Sequence, residues 1–236
     1  MSLEVHVQDL GFLPYGDAWR IQQQTLEARK LGKLPDTLLL VEHPPTISLG
    51  KNKEWNKVHH SSETLAENGI TLVNSERGGG AAYLGPSQLI GYVIANIMPY
   101  GGVLQFMKKL EEIMIRSSKK LGISVDRQDT MNPTTEKPYR ATWYIKEGKP
   151  YALCTKGIGL ESYQGTWFSH HGFCVNVEKD HSYFDIINPC GFPPDQVRPI
   201  SFEEILGYKV EREKVKNIIA EQFREVFGEV KVCASA

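Results

Sequence analysis

Cys190 is the residue whose surroundings best suit covalent chemistry. It stands in Asn188-Pro189-Cys190-Gly191-Phe192, and a proline before the cysteine with a glycine after it predicts a tight turn that exposes the thiol. An exposed thiolate is a nucleophile, whereas a free cysteine is more often a small buried hydrophobe. The second description fits Cys154 and Cys174, which lie in strand-like patterns. Cys190 is therefore the candidate nucleophile.

A run of small residues from Arg77 to Pro86 is the second candidate site. Residues 78–82 are all glycine or alanine, so the backbone there could approach a ligand closely and present N–H groups to it. A phosphate loop would continue with Gly-Lys-Ser/Thr, and a dinucleotide site would read G-x-G-x-x-G. Neither pattern occurs. The run is either a ligand-binding loop or a flexible connection.

Histidines form the third candidate group, chiefly His43, His170 and His171. A histidine could activate the thiol, but no aspartate or asparagine stands out as its partner, and a structural hydrogen-bonding role is the alternative. Neither H-E-x-x-H nor C-x-x-C spacing occurs. We therefore expect no metal site.

Charge, cysteine content and hydropathy limit the class of protein. The 236 residues include 27 basic and 28 acidic side chains, a balance that argues against a nucleic-acid binder. No apolar stretch is long enough to span a bilayer, and no signal peptide is evident. The four cysteines are too sparse for a secreted disulfide scaffold. We expect a cytoplasmic protein that has no membrane partner.

Helical and strand-like segments alternate along the chain. Helical spacing is clearest over 104–121, and an apolar run at 37–41 predicts a buried strand. Strand candidates at 141–145, 151–156 and 167–177 are joined by turns, whereas the polar segment 126–138, with two prolines, predicts a loop. These patterns favour an α/β (α+β) fold with a mixed β-sheet and packed helices. We expect a single domain over 1–236, with 199–236 as an alternative small C-terminal subdomain.

A series of short motifs runs in one order over nearly the whole chain: Pro14-Tyr15, Ala18-Trp19, Gln22, Glu42 to Gly50, Arg77-Gly78-Gly79, Tyr83, Gly85-Pro86, Gln88-Leu89, Gly91-Tyr92, His171-Gly172-Phe173, Asn176-Val177, Asp180, Phe184 and Asn188-Pro189-Cys190-Gly191. Together they resemble the lipoyl(octanoyl) transferase family. The resemblance implies the catalytic-domain fold of the biotin and lipoate protein ligases.

The resemblance also implies an acyltransferase reaction. Octanoate would arrive as a thioester on acyl carrier protein, pass to Cys190, and be delivered to a lysine of a lipoyl domain. Such acceptor domains belong to 2-oxoacid dehydrogenase complexes or to the glycine cleavage H protein. Because a thioester holds enough free energy to form an amide, we expect no ATP and no other cofactor.

The family pairs its cysteine with a lysine, and two lysines fit that role here. Lys149 is the last residue of a hairpin turn predicted at 146–149, and the family's lysine follows such a turn. Lys156 instead has the family's distance to His171. We favour Lys149 as the catalytic lysine, because an extended hairpin would move the lysine outward in sequence.

The small-residue run and the segments before and after the lysine should wall the acyl tunnel. The expected substrate-binding residues are Arg77, Gly78, Gly79, Gly80, Ala81, Ala82, Tyr83, Leu84, Ala152, Leu153, Cys154, His171, Gly172, Phe173 and Cys174. Ala82, Leu84 and Ser87 depart from the family's Thr, His and Gly, and we expect Leu84 to face the acyl chain. The alternatives are an ATP-dependent lipoate or biotin ligase and a non-catalytic module that binds acylated proteins.

Overall fold

The computed structural model describes residues 4–131, 138–180, 186–188 and 198–228. In chain order its elements are β1 (Val5–Phe12), α1 (Tyr15–Lys30), β2 (Asp36–Glu42), β3 (Thr46–Leu49), α2 (Ser62–Glu67), β4 (Thr71–Asn74), β5 (Ala82–Leu84), β6 (Gln88–Asn96), α3 (Gly102–Lys120), β7 (Asp126–Met131), β8 (Pro138–Lys146), β9 (Lys149–Tyr163), β10 (Thr166–Asn176), β11 (Arg198–Pro199), α4 (Phe202–Leu206) and α5 (Arg212–Gly228).

Most of the strands form one mixed sheet. Its order is β1-β2-β6-β10-β9-β8-β7, with β11 added beside β9. The pairs β1–β2 and β9–β11 are parallel, whereas the hairpin-joined strands from β7 to β10 are antiparallel. Strands β2 and β6 are buried along almost their whole length, which explains why their sequences are continuous apolar runs rather than alternating ones. The predicted mixed sheet is confirmed.

The predicted loop over 126–138 is wrong in part. Residues 126–131 form β7, which pairs antiparallel with β8 from Asp126↔Trp143 to Met131↔Pro138. This strand is at the edge of the sheet, where backbone pairing to a single neighbour is sufficient and a polar sequence is tolerated. The sequence of such a strand need not show the apolar alternation by which strands are predicted. Residues 132–137, the remainder of the predicted loop, lie outside the described residues.

The sheet separates two apolar layers. On one face α3 and α5 pack over the sheet, and their buried aromatic residues include Phe106, Phe223 and Phe227. On the other face α1 contributes Ala18 and Leu26. Helix α3 was predicted from the helical spacing that brings one apolar stripe onto the sheet.

The last two helices belong to the layer on the α3 side. Phe202 of α4 and Phe223 of α5 are 0% exposed and lie in the same cluster as Leu110 of α3. A capping box begins α4, since the Ser201 side chain accepts from Glu204 N at 3.2 Å and the Glu204 carboxylate accepts from Ser201 N at 2.9 Å. Within the described part of the chain, no helix combines the length and apolarity needed to cross a membrane.

A second, three-stranded sheet, β4-β3-β5, stands beside the large one. It has its own small core, formed by residues such as Ile47, Leu65 and Tyr83. The loop at 75–81 contacts β9 at Gly157 and Ile158, and the loop at 50–60 is hydrogen-bonded to the loop at 75–81.

Candidate active site

A cavity opens between the small sheet and the β6, β9 and β10 strands. About 420 Å³ of space not filled by atoms lies within it, a volume that includes open solvent. Its wall is mainly apolar and aromatic, with few charged groups. The lining residues are Tyr15, Ser48, Arg77, Ala82, Leu84, Ile90, Tyr92, Thr155, Lys156, Gly157, His171, Gly172, Phe173 and Cys174.

Arg77 fixes the small-residue run against the neighbouring strands. Its guanidinium donates to the Ser48 hydroxyl at 2.9 Å and to the Ser48 carbonyl at 2.7 Å. The N–H of Gly78 donates to the carbonyl of Ile158 at 2.9 Å, so the run is hydrogen-bonded to β9. These contacts show a positioned wall of the cavity rather than a flexible connection.

Two glycines of this run are required, one by its backbone conformation and the other by close packing. Gly79 has φ 86, a conformation that glycine adopts without steric cost. A Cβ atom on Gly80 would lie 2.3 Å from Trp55 Cβ, which is shorter than any van der Waals contact. The loop at 50–60 therefore packs directly on the run, and Ala81 N donates to the Trp55 carbonyl at 3.1 Å.

Lys156 and Lys149 occupy contrasting positions on β9. Lys156 belongs to the cavity wall, its side chain is 0% exposed, and its ammonium lies 3.0 Å from Glu111 Oε1 of α3. Lys149 is exposed at the start of β9, paired with Lys146 across the hairpin turn. It is absent from the cavity wall formed by the described residues. The geometry thus favours Lys156, whereas the sequence argument favoured Lys149.

His43 is a structural hydrogen-bonding residue at the back of the cavity. Its Nδ1 lies 2.6 Å from the Leu13 carbonyl, and its Nε2 lies 2.7 Å from the Tyr92 hydroxyl. A carbonyl can only accept, so Nδ1 donates and Nε2 of the neutral ring accepts from Tyr92. Burial lowers the pKa of His43 and raises that of Tyr92, which is consistent with this neutral pair.

His170 and His171 are also held neutral. Burial lowers the pKa of His170 to about 4 and that of His171 to about 2. The His171 ring stacks on Trp19 with centroids 4.9 Å apart and planes 4° apart. Its backbone, at φ 58, donates to the Gln22 side chain at 3.0 Å. Since so weak a base carries no proton near neutrality, Arg77 and Lys156 are the cations of the described cavity wall.

Only part of the predicted binding set reaches the cavity. Eight of the predicted residues line it: Arg77, Ala82, Leu84, Lys156, His171, Gly172, Phe173 and Cys174. Leu84 is 7% exposed, so the apolar residue that replaces the family's histidine is shielded from water. The described wall does not include Gly78, Gly79, Gly80, Ala81, Tyr83, Ala152, Leu153 or Cys154.

Six lining residues were not predicted as site residues: Tyr15, Ser48, Ile90, Tyr92, Thr155 and Gly157. Tyr15, Ser48 and Tyr92 do belong to the ordered motifs of the sequence. The signal that could have identified these three residues is that they belong to the motifs although packing in the core does not require those residue types. Thr155 and Gly157 follow from Lys156, because they are its neighbours on β9.

Cys190 lies outside the described residues, and the chain that leads to it is anchored near the cavity loops. Ile187 is fully buried and forms a β-bridge with Val58. Asn188 N donates to the Lys57 carbonyl at 3.1 Å, and the Asn188 side chain lies 2.7 Å from His59 Nε2. The residue two positions before Cys190 is therefore attached to the loop at 50–60, which in turn packs on the small-residue run.

Comparison with known proteins identifies the family. Residues 14–224 match the lipoyl protein ligase A/B catalytic domain. An octanoyltransferase of Alkaliphilus metalliredigens is 36% identical over 96% of this chain and 96% of its own length. The chain belongs to the octanoyltransferase family.

Other members and a more distant fold relative agree with this assignment. An octanoyltransferase of Koribacter versatilis is 33% identical over 95% of this chain and 85% of its own length. A lipoate-bound protein of Thermoplasma acidophilum, described as a putative lipoate protein ligase, superimposes with a TM-score of 0.66 at 16% identity. That match covers 96% of this chain and 86% of the other. The predicted ligase-type fold of this octanoyltransferase family member is thus confirmed.

The described residues of this family member contain no group of three or more His, Cys, Asp or Glu side chains arranged to hold a metal ion. Cys154 and Cys174 are buried free thiols, and burial raises the pKa of Cys154 to about 12. Neither has the exposed, ionised character of a nucleophilic thiol.

Proposed function

We propose that the chain transfers an octanoyl group from an acyl-carrier-protein thioester to a lysine of a lipoyl domain. The observation that best supports this proposal is an apolar cavity, lined by Leu84, Ile90 and Phe173, whose wall also includes a buried lysine, Lys156. An apolar wall suits the burial of an acyl chain. Relatives named octanoyltransferase match the chain over nearly its whole length.

The reaction proceeds through an acyl thioester on Cys190. The Cys190 thiolate attacks the donor carbonyl, a new C–S bond forms, and the carrier thiolate leaves and takes a proton from the Lys156 ammonium. The amine of the acceptor lysine then attacks the Cys190 thioester. An amide bond forms, the Cys190 thiolate leaves, and the amine's proton returns to Lys156. Backbone N–H groups stabilise the oxyanion of each tetrahedral intermediate.

Lys156 supplies the charge that this chemistry requires. An ordinary cysteine thiol, with a pKa of about 8.5, is only a few per cent thiolate at pH 7. A neighbouring ammonium favours the thiolate, and the neutral His170 and His171 do not. The first step exchanges one thioester for another, and the second converts a thioester into an amide of lower free energy. The reaction therefore needs neither ATP nor a metal. We assign it to the cytoplasm, where thiols remain reduced.

A mass measurement tests the covalent step. Incubation with octanoyl-acyl carrier protein in the absence of ATP should add one octanoyl group to the protein, and hydroxylamine should remove it. Cys190→Ala should abolish the adduct. Cys154→Ala and Cys174→Ala are the matched controls and should retain it, since those thiols are buried.

Two results would contradict the proposal. One is an adduct that persists in Cys190→Ala. The other is amide formation that requires ATP and free octanoate, which would indicate a ligase. Binding of acyl carrier protein without any adduct would instead indicate a non-catalytic module.

A further inference from the structure

The ion pair between Glu111 and Lys156 joins α3 to the cavity wall. The two charged atoms are 3.0 Å apart, and the side chains are 6% and 0% exposed. Burial alone favours the neutral form of a lysine, whereas a carboxylate within hydrogen-bond distance favours the ammonium. Glu111 is therefore placed to favour the ammonium form of Lys156 against the effect of burial.

Packing does not account for a carboxylate at this position. Glu111 lies on the buried face of α3 together with Leu110, Ile113 and Met114. A buried ion pair is often no more stabilising than apolar side chains of the same volume. The location of the ion pair is more informative than its effect on stability. Lys156 and its cross-strand partner Phe173 both line the cavity, so the pair lies at the cavity wall.

Two other groups near Lys156 in the described part of the chain, Cys154 and Arg77, do not act as its counter-ion. Cys154, two residues away on β9, stays protonated because burial raises its pKa to about 12. Arg77 lies beside Gly157, since a Cβ atom there would be 3.2 Å from Arg77 Cδ. Arg77 is a cation, and a second cation disfavours the charged form of a lysine. Glu111 is an anion within the described residues that opposes both burial and Arg77.

We infer that Glu111 is a positioning residue for acyl transfer, which holds Lys156 as an ammonium at the cavity wall. This inference rests on the proposed function. In the first half-reaction the ammonium must be present both to stabilise the Cys190 thiolate and to protonate the departing carrier thiolate. Loss of Glu111 would therefore limit the pH range over which the reaction proceeds.

The pH profile of Cys190 acylation tests this role. In Glu111→Gln, the alkaline limb of the profile should move to lower pH by about one to three units, with little change in KM for the octanoyl carrier. Glu112→Gln is the matched control, because Glu112 is on the same helix turn and pairs with Arg116 instead. It should leave the profile unchanged.

Glu111→Asp separates charge from position and guards against a Glu111→Gln variant that does not fold. It keeps the negative charge on a side chain shorter by one methylene. The alkaline limb should stay at its wild-type pH while kcat falls. Wild-type kcat in Glu111→Asp would overturn the positioning role, and so would a Glu111→Gln profile that is lowered equally at every pH.

Failure of the proposed function looks different from failure of this inference. If the wild-type protein forms no Cys190 adduct, both proposals are wrong. If the adduct forms but replacement of Lys156 leaves acylation intact, the roles of Lys156 and Glu111 are wrong while octanoyl transfer through Cys190 still stands. If the wild-type protein is acylated, depends on Lys156, and keeps its alkaline limb in Glu111→Gln, only the role of Glu111 is wrong.

Discussion

At the scale of single residues, burial decides which groups around the cavity are charged. Tyr92 and His43 satisfy one another as a neutral pair, and His171 is stacked and neutral against Trp19. Lys156 is as deeply buried, yet it has Glu111 as a counter-ion. The side chains that would be the usual thiol activators are therefore hydrogen-bonding and stacking elements, and the lysine is the group suited to proton transfer.

Replacement of the two candidate lysines should give opposite results. Lys156→Met removes the ammonium but keeps the length of the side chain, and acylation of Cys190 should fall roughly 100- to 10,000-fold, the usual contribution of a proton-transfer group. Lys149→Met, at an exposed position, should keep wild-type activity. Single-turnover acylation by octanoyl carrier protein is the measurement, with circular dichroism as the folding control. Loss of activity in Lys149→Met alone would restore the assignment made from sequence.

Neutral His171 makes folding sensitive to acid. Its pKa is about 2 in the folded protein against about 6.5 when unfolded, so the unfolded state binds more protons below pH 6.5. The free energy of unfolding should then fall as pH is lowered from about 6.5, by up to about 1.4 kcal/mol per pH unit for this residue.

Urea unfolding at a series of pH values checks this linkage. His171→Asn should reduce the pH slope between 6 and 4.5, and asparagine tolerates the φ of 58 at this position. The same substitution at exposed His60 is the control. An unchanged slope in His171→Asn would show that other groups cause the acid sensitivity.

The choice between Lys149 and Lys156 shows what sequence could not supply at this scale. Turn position and distance to His171 are both one-dimensional criteria, and an extended hairpin satisfies them at different residues. The side chain of Lys156 is buried and Lys149 is exposed. The burial of Lys156 depends on contact with α3, which is distant from it in sequence. The nucleophile Cys190 was proposed from its turn and motif alone, and it stays a prediction.

At the scale of elements, the small-residue run is a wall held by its neighbours. Arg77 joins it to β3, Gly78 joins it to β9, and Trp55 packs on Gly80. Composition indicated that a backbone approaches something closely, but it could not show that the partner at Gly80 is a tryptophan of the same chain. Arg77, Ala82 and Leu84 of the motif line the cavity, while several of its other residues pack behind the wall.

A single methyl group should disrupt this wall. In Gly80→Ala the new Cβ would meet Trp55 at 2.3 Å, so either the loop at 50–60 or the run must move. Acylation should fall at least about tenfold, because small displacements of a positioned site are costly, and Tm should decrease. Gly16→Ala is the matched control, since nothing lies within 4 Å of its Cβ.

The control has its own expected outcome. Gly16 lies in α1, where alanine is favoured over glycine by about 1 kcal/mol. Gly16→Ala should therefore raise Tm and leave acylation unchanged. Wild-type activity in Gly80→Ala would mean that the run yields to Trp55 without loss of the site.

Elements could be predicted from the sequence where packing on the core gives a repeating apolar pattern. They could not be predicted where a strand is defined mainly by backbone hydrogen bonds to its neighbour. Helix α3 and the buried strand β2 follow from their apolar periodicity. Strand β7 does not, since an edge strand is defined by hydrogen bonds to β8 rather than by a buried face. The length of β9, which extends to Tyr163, was underestimated for the same reason, because its distal part alternates little.

At the scale of the whole molecule, the C-terminal helices complete the layer that supports the site. Helix α5 packs on α3, and Phe223 and Phe227 lie in one cluster with Phe106. Lys216 of α5 also pairs with Asp9 of β1 and Glu42 of β2. The sequence offered no linker before residue 199 and left open a small subdomain. The contacts of α5 with β1, β2 and α3 favour a single cooperative unit.

Unfolding detected by tryptophan distinguishes one cooperative unit from two. The four tryptophans are Trp19, Trp55, Trp143 and Trp167, all of which precede residue 199. Phe223 is 0% exposed, and a Phe→Ala change in a core typically costs about 3–5 kcal/mol. If α5 unfolds together with the sheet, Phe223→Ala should lower the urea midpoint measured by tryptophan fluorescence and the midpoint measured by far-ultraviolet circular dichroism by the same amount. Arg224→Ala, at the exposed neighbouring position, should change neither midpoint appreciably. A fluorescence midpoint that stays at its wild-type value in Phe223→Ala, while part of the helical signal is lost earlier, would show that the segment from 199 onward unfolds as a separate subdomain.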